Sequence, residues 1–346
     1  MTAASQRERR IGRLERSALT GVLVREVVNF SSYWRSTTFS STVEPTFYLL
    51  AFGFGFGSLV SRVGGYDYVE FVGTGTVATA VLFSSAFPAM FGTFIKYQFQ
   101  RTYDAILAAP VDTEELVTAE ALWIATRAGV YGCVPMLVAI AFGLDPAWGM
   151  LVVPLIAWIA GFGWACFGIS VAGFSKSFEN FNYVVSAVLT PLFLVAGTFF
   201  PLSRLPHWAQ VLGEVNPLHH CVELVRHAAF GFAGWTDLAR VGALLAFGFI
   251  MWRISIHAME QKLIDRSRRL RDASRARPWL GRFAGGRKGD RDGRPPAWGR
   301  IERDATRASL RQGLNDRQSE AAAAGAARSA LASAIEAVED VLLVLR

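Results

Sequence analysis

The chain has 346 residues, of which 52% are hydrophobic and only 18% charged, and it carries a formal net charge of +7. That balance excludes an ordinary soluble domain, because the apolar content is too high and is gathered into long runs of the kind that cross membranes. The basic residues sit in the flanks and the tail, so the charge reads as membrane orientation and headgroup attraction and not as a nucleic-acid footprint.

Residues 1–18 form a basic N-terminus, with Arg7, Arg9, Arg10, Arg13 and Arg16 and no short apolar run followed by a small-residue cleavage site, so no cleavable signal peptide is expected. Residues 19–38 follow as an amphipathic helix. Leu23, Val27, Phe30 and Trp34 recur at steps of four, three and four, with Arg25, Glu26 and Arg35 off that stripe, which suits a helix lying in the membrane interface.

Residues 39–265 hold six candidate spans: 39–60, 71–94, 116–142, 150–174, 183–200 and 238–256. Each approaches the ~20 apolar residues needed to cross a bilayer, the last with Arg240 and Arg253 snorkelling towards the two interfaces. Glu44 in the first span is a candidate intramembrane polar contact, although its place near the span's edge suits headgroup depth equally well. Lys and Arg gather before the first span, in the second and fourth connections and after the sixth, whereas the third connection has none, so the positive-inside rule puts both termini in the cytoplasm.

Between the second and third spans stands RTYDAILAAPVDTEELV, residues 101–117. Tyr103, Ile106, Leu107 and Pro110 make one apolar face of a helix of about two turns, too short to span. Asp112 and Glu115 then offer a capping box for the third span. A short capped helix of this kind either rests on lipid or fits a socket in a soluble partner.

After the fifth span, Pro201, Pro206 and Pro217 divide TFFPLSRLPHWAQVLGEVNPLHHCVELVRHAAFG into short helical pieces, including HWAQVLGEV with Trp208 and LHHCVELVRHAAF with Glu223. Neither reaches spanning length, so they are expected to re-enter the outer interface under protein cover. Beyond Asp265, residues 266–311 are Arg-rich around GGRKGDRDGRPP and cannot bury a core. A C-terminal helix carrying Leu331, Ile335, Val338, Leu342 and Leu345 closes a cytoplasmic tail over residues 266–346.

No GxxxxGK[ST] loop occurs, so the chain has no evident means of hydrolysing nucleotide itself. His219, His220, Cys221, Glu223 and His227 leave open a membrane-embedded metal enzyme, but only His219, Glu223 and His227 share helical spacing. An ion-coupled secondary transporter would want ionisable groups at mid-membrane, and the only charges well within spans are Glu44, Glu120 and Arg127.

The segments EPTFYLLAFGFGFGSLV (44–60), YQFQRTYDAILAAPVDTEELVTAEALW (97–123), FNYVVSAVLTPLFLVAGTFFPLSRLPHWAQ (181–210) and NPLHHCVELVRHAAFG (216–231) resemble the ABC-2 family of exporter permeases, in the branch of the nodulation and daunorubicin-type drug permeases. The resemblance covers about residues 18–265. It implies an all-α, six-helix permease with no catalytic, cofactor or metal site of its own, paired with a second permease, expected to be an identical copy, and with two cytosolic ATPase subunits that hold ATP and Mg. It further implies a bacterial inner-membrane location and a lipid-linked saccharide, lipo-oligosaccharide or amphiphilic drug as cargo, with no nucleic-acid partner. Carried onto this sequence, residues 19–35 are the interface helix, residues 201–231 the outer re-entrant segment, and residues 101–111 the coupling helix, with Arg101, Tyr103, Asp104, Ile106, Leu107 and Pro110 meeting the ATPase. The tail beyond Asp265 departs from the family pattern.

Overall fold

The computed structural model describes residues 15–276, apart from positions 52–54, 56, 58–61, 64 and 110. Residues 1–14, Pro110 and everything after Ala276, including the C-terminal helix expected from the sequence, lie outside the described residues, as does the Glu44 side chain.

Helix α1 (Arg16–Ser31) is followed after a two-residue turn by α2 (Trp34–Leu50). A small antiparallel hairpin, β1 (Arg62–Val63) and β2 (Tyr66–Asp67), leads into α3 (Tyr68–Phe87), which passes through a π-helical turn at Pro88–Gly92 into α4 (Thr93–Gln98). Then come α5 (Thr102–Leu107), α6 (Thr113–Tyr131), α7 (Val134–Ala141) and α8 (Val153–Phe174). The short helices α9 (Glu179–Val184), α10 (Thr190–Leu194), α11 (His207–Val215) and α12 (Pro217–Phe230) precede the long α13 (Trp235–Ala276).

Among the described residues, four helical stretches are long and apolar enough to cross a membrane: Tyr68–Gln98, Thr113–Ala141, Trp148–Phe174 and Trp235–Asp265. They match the second, third, fourth and sixth expected spans. The first and fifth differ. α2 has 17 residues before a stretch that is only partly described. The fifth expected span, 183–200, is only α9 and α10 joined by a π-helical turn at Val185–Leu189, and the chain turns away at Gly197, whose φ of +85° places it in the left-handed region that glycine tolerates. Hydropathy alone could not see that turn, because every residue around it is apolar or small.

The bundle is held by close helix approach. α8 lies between α3 and α6, and a Cβ added at Gly168 would stand 2.6 Å from the Ala86 carbonyl oxygen, while one at Gly161 would stand 2.9 Å from Ala128. With lipid as apolar as the side chains, such small-residue contacts, and not hydrophobic burial, are what join spanning helices. A phenylalanine cluster, Phe91, Phe94, Phe178 and Phe181, pins α4 to the start of α9.

Two further expectations change. α1 ends at Ser31, so Trp34 opens α2 and lies 48% exposed, and Val27 is 49% exposed. The inward face of α1 is turned by one residue to Val22 and Glu26, with Leu23 and Phe30 at its margin, because Glu26 is drawn inward by a cation described below. In addition, α13 runs on as helix through Ala276, into the stretch assigned to disordered tail from composition.

Candidate functional site

The connection between α4 and α6 folds as α5, entered through Arg101, the one residue other than glycine with positive φ among the described residues (φ 52°, ψ 27°). This left-handed residue, costly for an L-amino acid, reverses the chain between α4 and α5. At the far side the capping box is complete: Asp112 accepts from the Glu115 backbone N–H, and the Asp112 N–H donates to Glu115 Oε2 at 3.0 Å. The other Glu115 oxygen takes the Glu15 N–H at 2.6 Å, so the first turn of α6 also anchors the start of α1.

Beneath α5 lies a buried ionic junction that the sequence did not reveal. Lys96 Nζ on α4 donates to both oxygens of Glu26 on α1, each at 3.0 Å, and to Glu120 Oε1 on α6 at 2.9 Å. Thr93 donates to the same Glu120 oxygen at 3.1 Å, and the Tyr103 hydroxyl of α5 donates to Glu120 Oε2. Arg25 supplies a second cation to Glu26 at 2.7 Å. Glu26 is 3% exposed, Glu120 2% and Tyr103 fully buried. Burial, and then the neighbouring Glu120 carboxylate, hold the Tyr103 phenol well above its ordinary pKa, so it stays a donor. Carboxylates and cation satisfy one another, which is the condition for keeping charge out of water.

This geometry places Tyr103 on the inner side of α5. Tyr103 points into the protein, and Ile106 and Leu107 pack against the cluster that contains Val22, Tyr97, Leu116 and Ile169. Tyr103 of the apolar face expected to meet a partner is therefore taken up by the helix's own bundle, and Ile106 and Leu107 are half-buried against it. The outward face carries Arg101, Asp104, Ala105 and Ala108. The signal was present in RTYDAIL, but an apolar stripe on a short helix looks the same whether it seats in a partner or in its own chain.

At the opposite end, α11 and α12 form as the prolines suggested. Asn216 caps α12, accepting from the Leu218 N–H at 2.9 Å, with Pro217 in the first turn. Pro206 stands at the N-cap of α11, Pro201 precedes the short turn Leu202–Arg204, and Trp208 is 65% exposed. Glu223 bonds Arg226 at 2.6 Å, and Arg226 reaches the Gly197 carbonyl at 3.1 Å while lying over the Phe71 ring. His227 Nδ1 is 2.5 Å from Asp237. His219 faces the Ala196 carbonyl at 2.9 Å, so the histidines diverge. No group of three His, Cys, Asp or Glu side chains able to hold a metal ion occurs among the described residues.

Among the described residues, four helices long and apolar enough to cross a membrane, a short helix packed beside them and a pair of short helices at the other end fit a membrane transport protein, and the chain belongs to the ABC-2 type transporter family, whose profile matches residues 18–230. Nodulation protein J of Sinorhizobium fredii is 30% identical over 238 residues, 67% of this chain and 90% of that protein. Nodulation protein J of Bradyrhizobium diazoefficiens is 28% identical over 236 residues, again 67% of this chain and 90% of that protein. The inner membrane transport permease YadH of Escherichia coli K12 is 26% identical over 255 residues, 73% of this chain and 97% of that protein. Membership implies association with an ATP-binding cassette ATPase.

Proposed function

We propose that this chain is the permease subunit of an ATP-driven exporter in a bacterial inner membrane, working as a pair of identical permeases with two copies of a separate ATPase that holds ATP and Mg. In this reading the chain has six spans with both termini and α5 in the cytoplasm, while α11 and α12 lie at the outer leaflet. The cargo is an amphiphile: a lipid-linked saccharide, a lipo-oligosaccharide or a drug. The observation that carries the proposal is the junction beneath α5. A force applied to Asp104 and Ala105 reaches Glu120 through Tyr103, then Lys96 and Glu26, so α5 cannot move without α1, α4 and α6. Coupling needs such a two-ended element, one end biased by the partner's state and the other fixed to the spans.

Co-expression with the ATPase of the same exporter tests this. Tagged permease should recover the ATPase from detergent extracts, and the complex should hydrolyse ATP and export an amphiphile in vesicles. Recovery of the permease alone, under conditions that keep both proteins folded, contradicts the proposal.

A further inference from the structure

A cavity of about 450 Å³ opens between α2, α3, α6 and the segment around α10, separate from the ionic junction. Its wall combines the rings of Phe83, Phe87 and Phe193 with the hydroxyls of Thr76 and Thr79, and one cation, Arg127, faces it. Volume and mixed lining are those of a site for a drug-sized molecule.

Arg127 is the anomaly. Its guanidinium lies 5.3 Å from the centre of the Phe30 ring, its Nε is buried without a hydrogen-bond partner, and no carboxylate pairs with it among the described residues. Counting from Thr113 at 1.5 Å per residue, Arg127 stands about 21 Å along α6, well within an apolar layer of about 30 Å. Lys96, by contrast, has two carboxylates and Arg25 has one. An arginine inside a membrane helix is costly unless water, a partner or a ligand compensates it, and it marks a functional position for that reason. One turn further along the same helix, the Tyr131 hydroxyl bonds Thr38 at 2.8 Å and holds α2 as the cavity's opposite wall.

We infer that Arg127 receives the anionic head of the transported amphiphile, a phosphate, sulfate or carboxylate, while the phenylalanines take its apolar body. A guanidinium fork matches oxyanion geometry, and it is strongest where water is excluded. The inference rests on the export function proposed above and narrows its cargo to anionic amphiphiles.

The full chain with its ATPase is placed in phosphatidylcholine nanodiscs without nucleotide, and binding of decyl phosphate is compared with that of decyltrimethylammonium by calorimetric titration. Decyl phosphate should bind the wild type more tightly. Arg127→Gln should weaken it by about tenfold or more, the scale of one charge-assisted hydrogen bond, and Arg127→Lys by less, with decyltrimethylammonium unchanged in both. Thermal unfolding midpoints identify a variant that has lost its fold, in which case the lysine variant carries the comparison. Equal affinity for the two probes in the wild type, or no loss in a folded Arg127→Gln, overturns the assignment. ATP-dependent uptake of radiolabelled decyl phosphate into inverted vesicles separates cargo from a resident lipid. Binding without uptake, where another amphiphile is still exported, overturns the cargo role and leaves the permease reading standing; no export of any amphiphile counts against that reading itself.

Discussion

At the α5 end, Lys96 bridges two carboxylates that are 3% exposed or less, and the residues joined come from α1, α4 and α6, far apart in the chain. At the α12 end, Glu223 meets Arg226, His227 and Arg240, but Glu223, His227 and Arg240 keep about a fifth of their side chains exposed, and apart from Arg226, which also reaches the Gly197 carbonyl and the Phe71 ring, the charges join α12 to the first turns of its neighbour α13. Both are ionic networks of similar size. The first is enclosed throughout and ties four elements together; the second buries Arg226 and Asp237 but leaves Glu223, His227 and Arg240 in partial contact with solvent, and it braces a bend. What distinguishes a transmission from a brace is which elements the charges join and how completely water is excluded.

Lys96 is the residue on which the enclosed network depends most. Lys96→Met leaves Glu120 and most of Glu26 uncompensated, and a buried charge stripped of its partner costs on the order of 3–5 kcal/mol. A large fall in thermal unfolding midpoint and loss of ATPase recovery are expected. The triple change Glu26→Leu, Lys96→Met and Glu120→Leu sharpens the point, since apolar replacement of a whole buried network often restores stability. Here the midpoint should recover while cargo-stimulated ATP hydrolysis does not. Tyr103→Phe removes one donor to Glu120 and should cost about 1–3 kcal/mol, read as a smaller fall in midpoint with weakened stimulation. Arg240→Gln, at the wet end, should cost about 1 kcal/mol or less, because ion pairs open to solvent contribute little. Smallest is Arg101→Gly, which frees a left-handed residue and should leave the midpoint level or raise it by an amount worth about 1 kcal/mol.

Much of the fold was legible in residue order. The length of four apolar runs, the capping box at Asp112 and Glu115, and the proline boundaries of α11 and α12 all have local causes, so local patterns revealed them. The end of the fifth expected span was not legible, because Gly197 sits in an apolar run where only its backbone angle marks the turn. The junction failed for a different reason. Glu26, Lys96 and Glu120 are separated by 70 and 24 residues, and Glu26 stood off the apolar stripe of its helix, where a carboxylate ordinarily faces water. Long-range charge pairing leaves no periodic trace in sequence. The inward turn of Tyr103 was hidden on the same ground, since it reaches a carboxylate that only the fold brings beneath it.

In the proposed exporter, α5 meets the ATPase through its outward face and passes that contact inward through the junction. The most direct test is disulfide cross-linking from Asp104→Cys to single cysteines on the co-expressed ATPase, with and without ATP. Cys166 and Cys221 are buried and Cys133 half-buried, so the background from native thiols is low. An adduct that changes in yield with nucleotide in the wild-type background, and forms in the triple apolar variant without any accompanying stimulation by cargo, is the predicted result. A complex that exports its cargo with no adduct at position 104 at any nucleotide state would contradict the account.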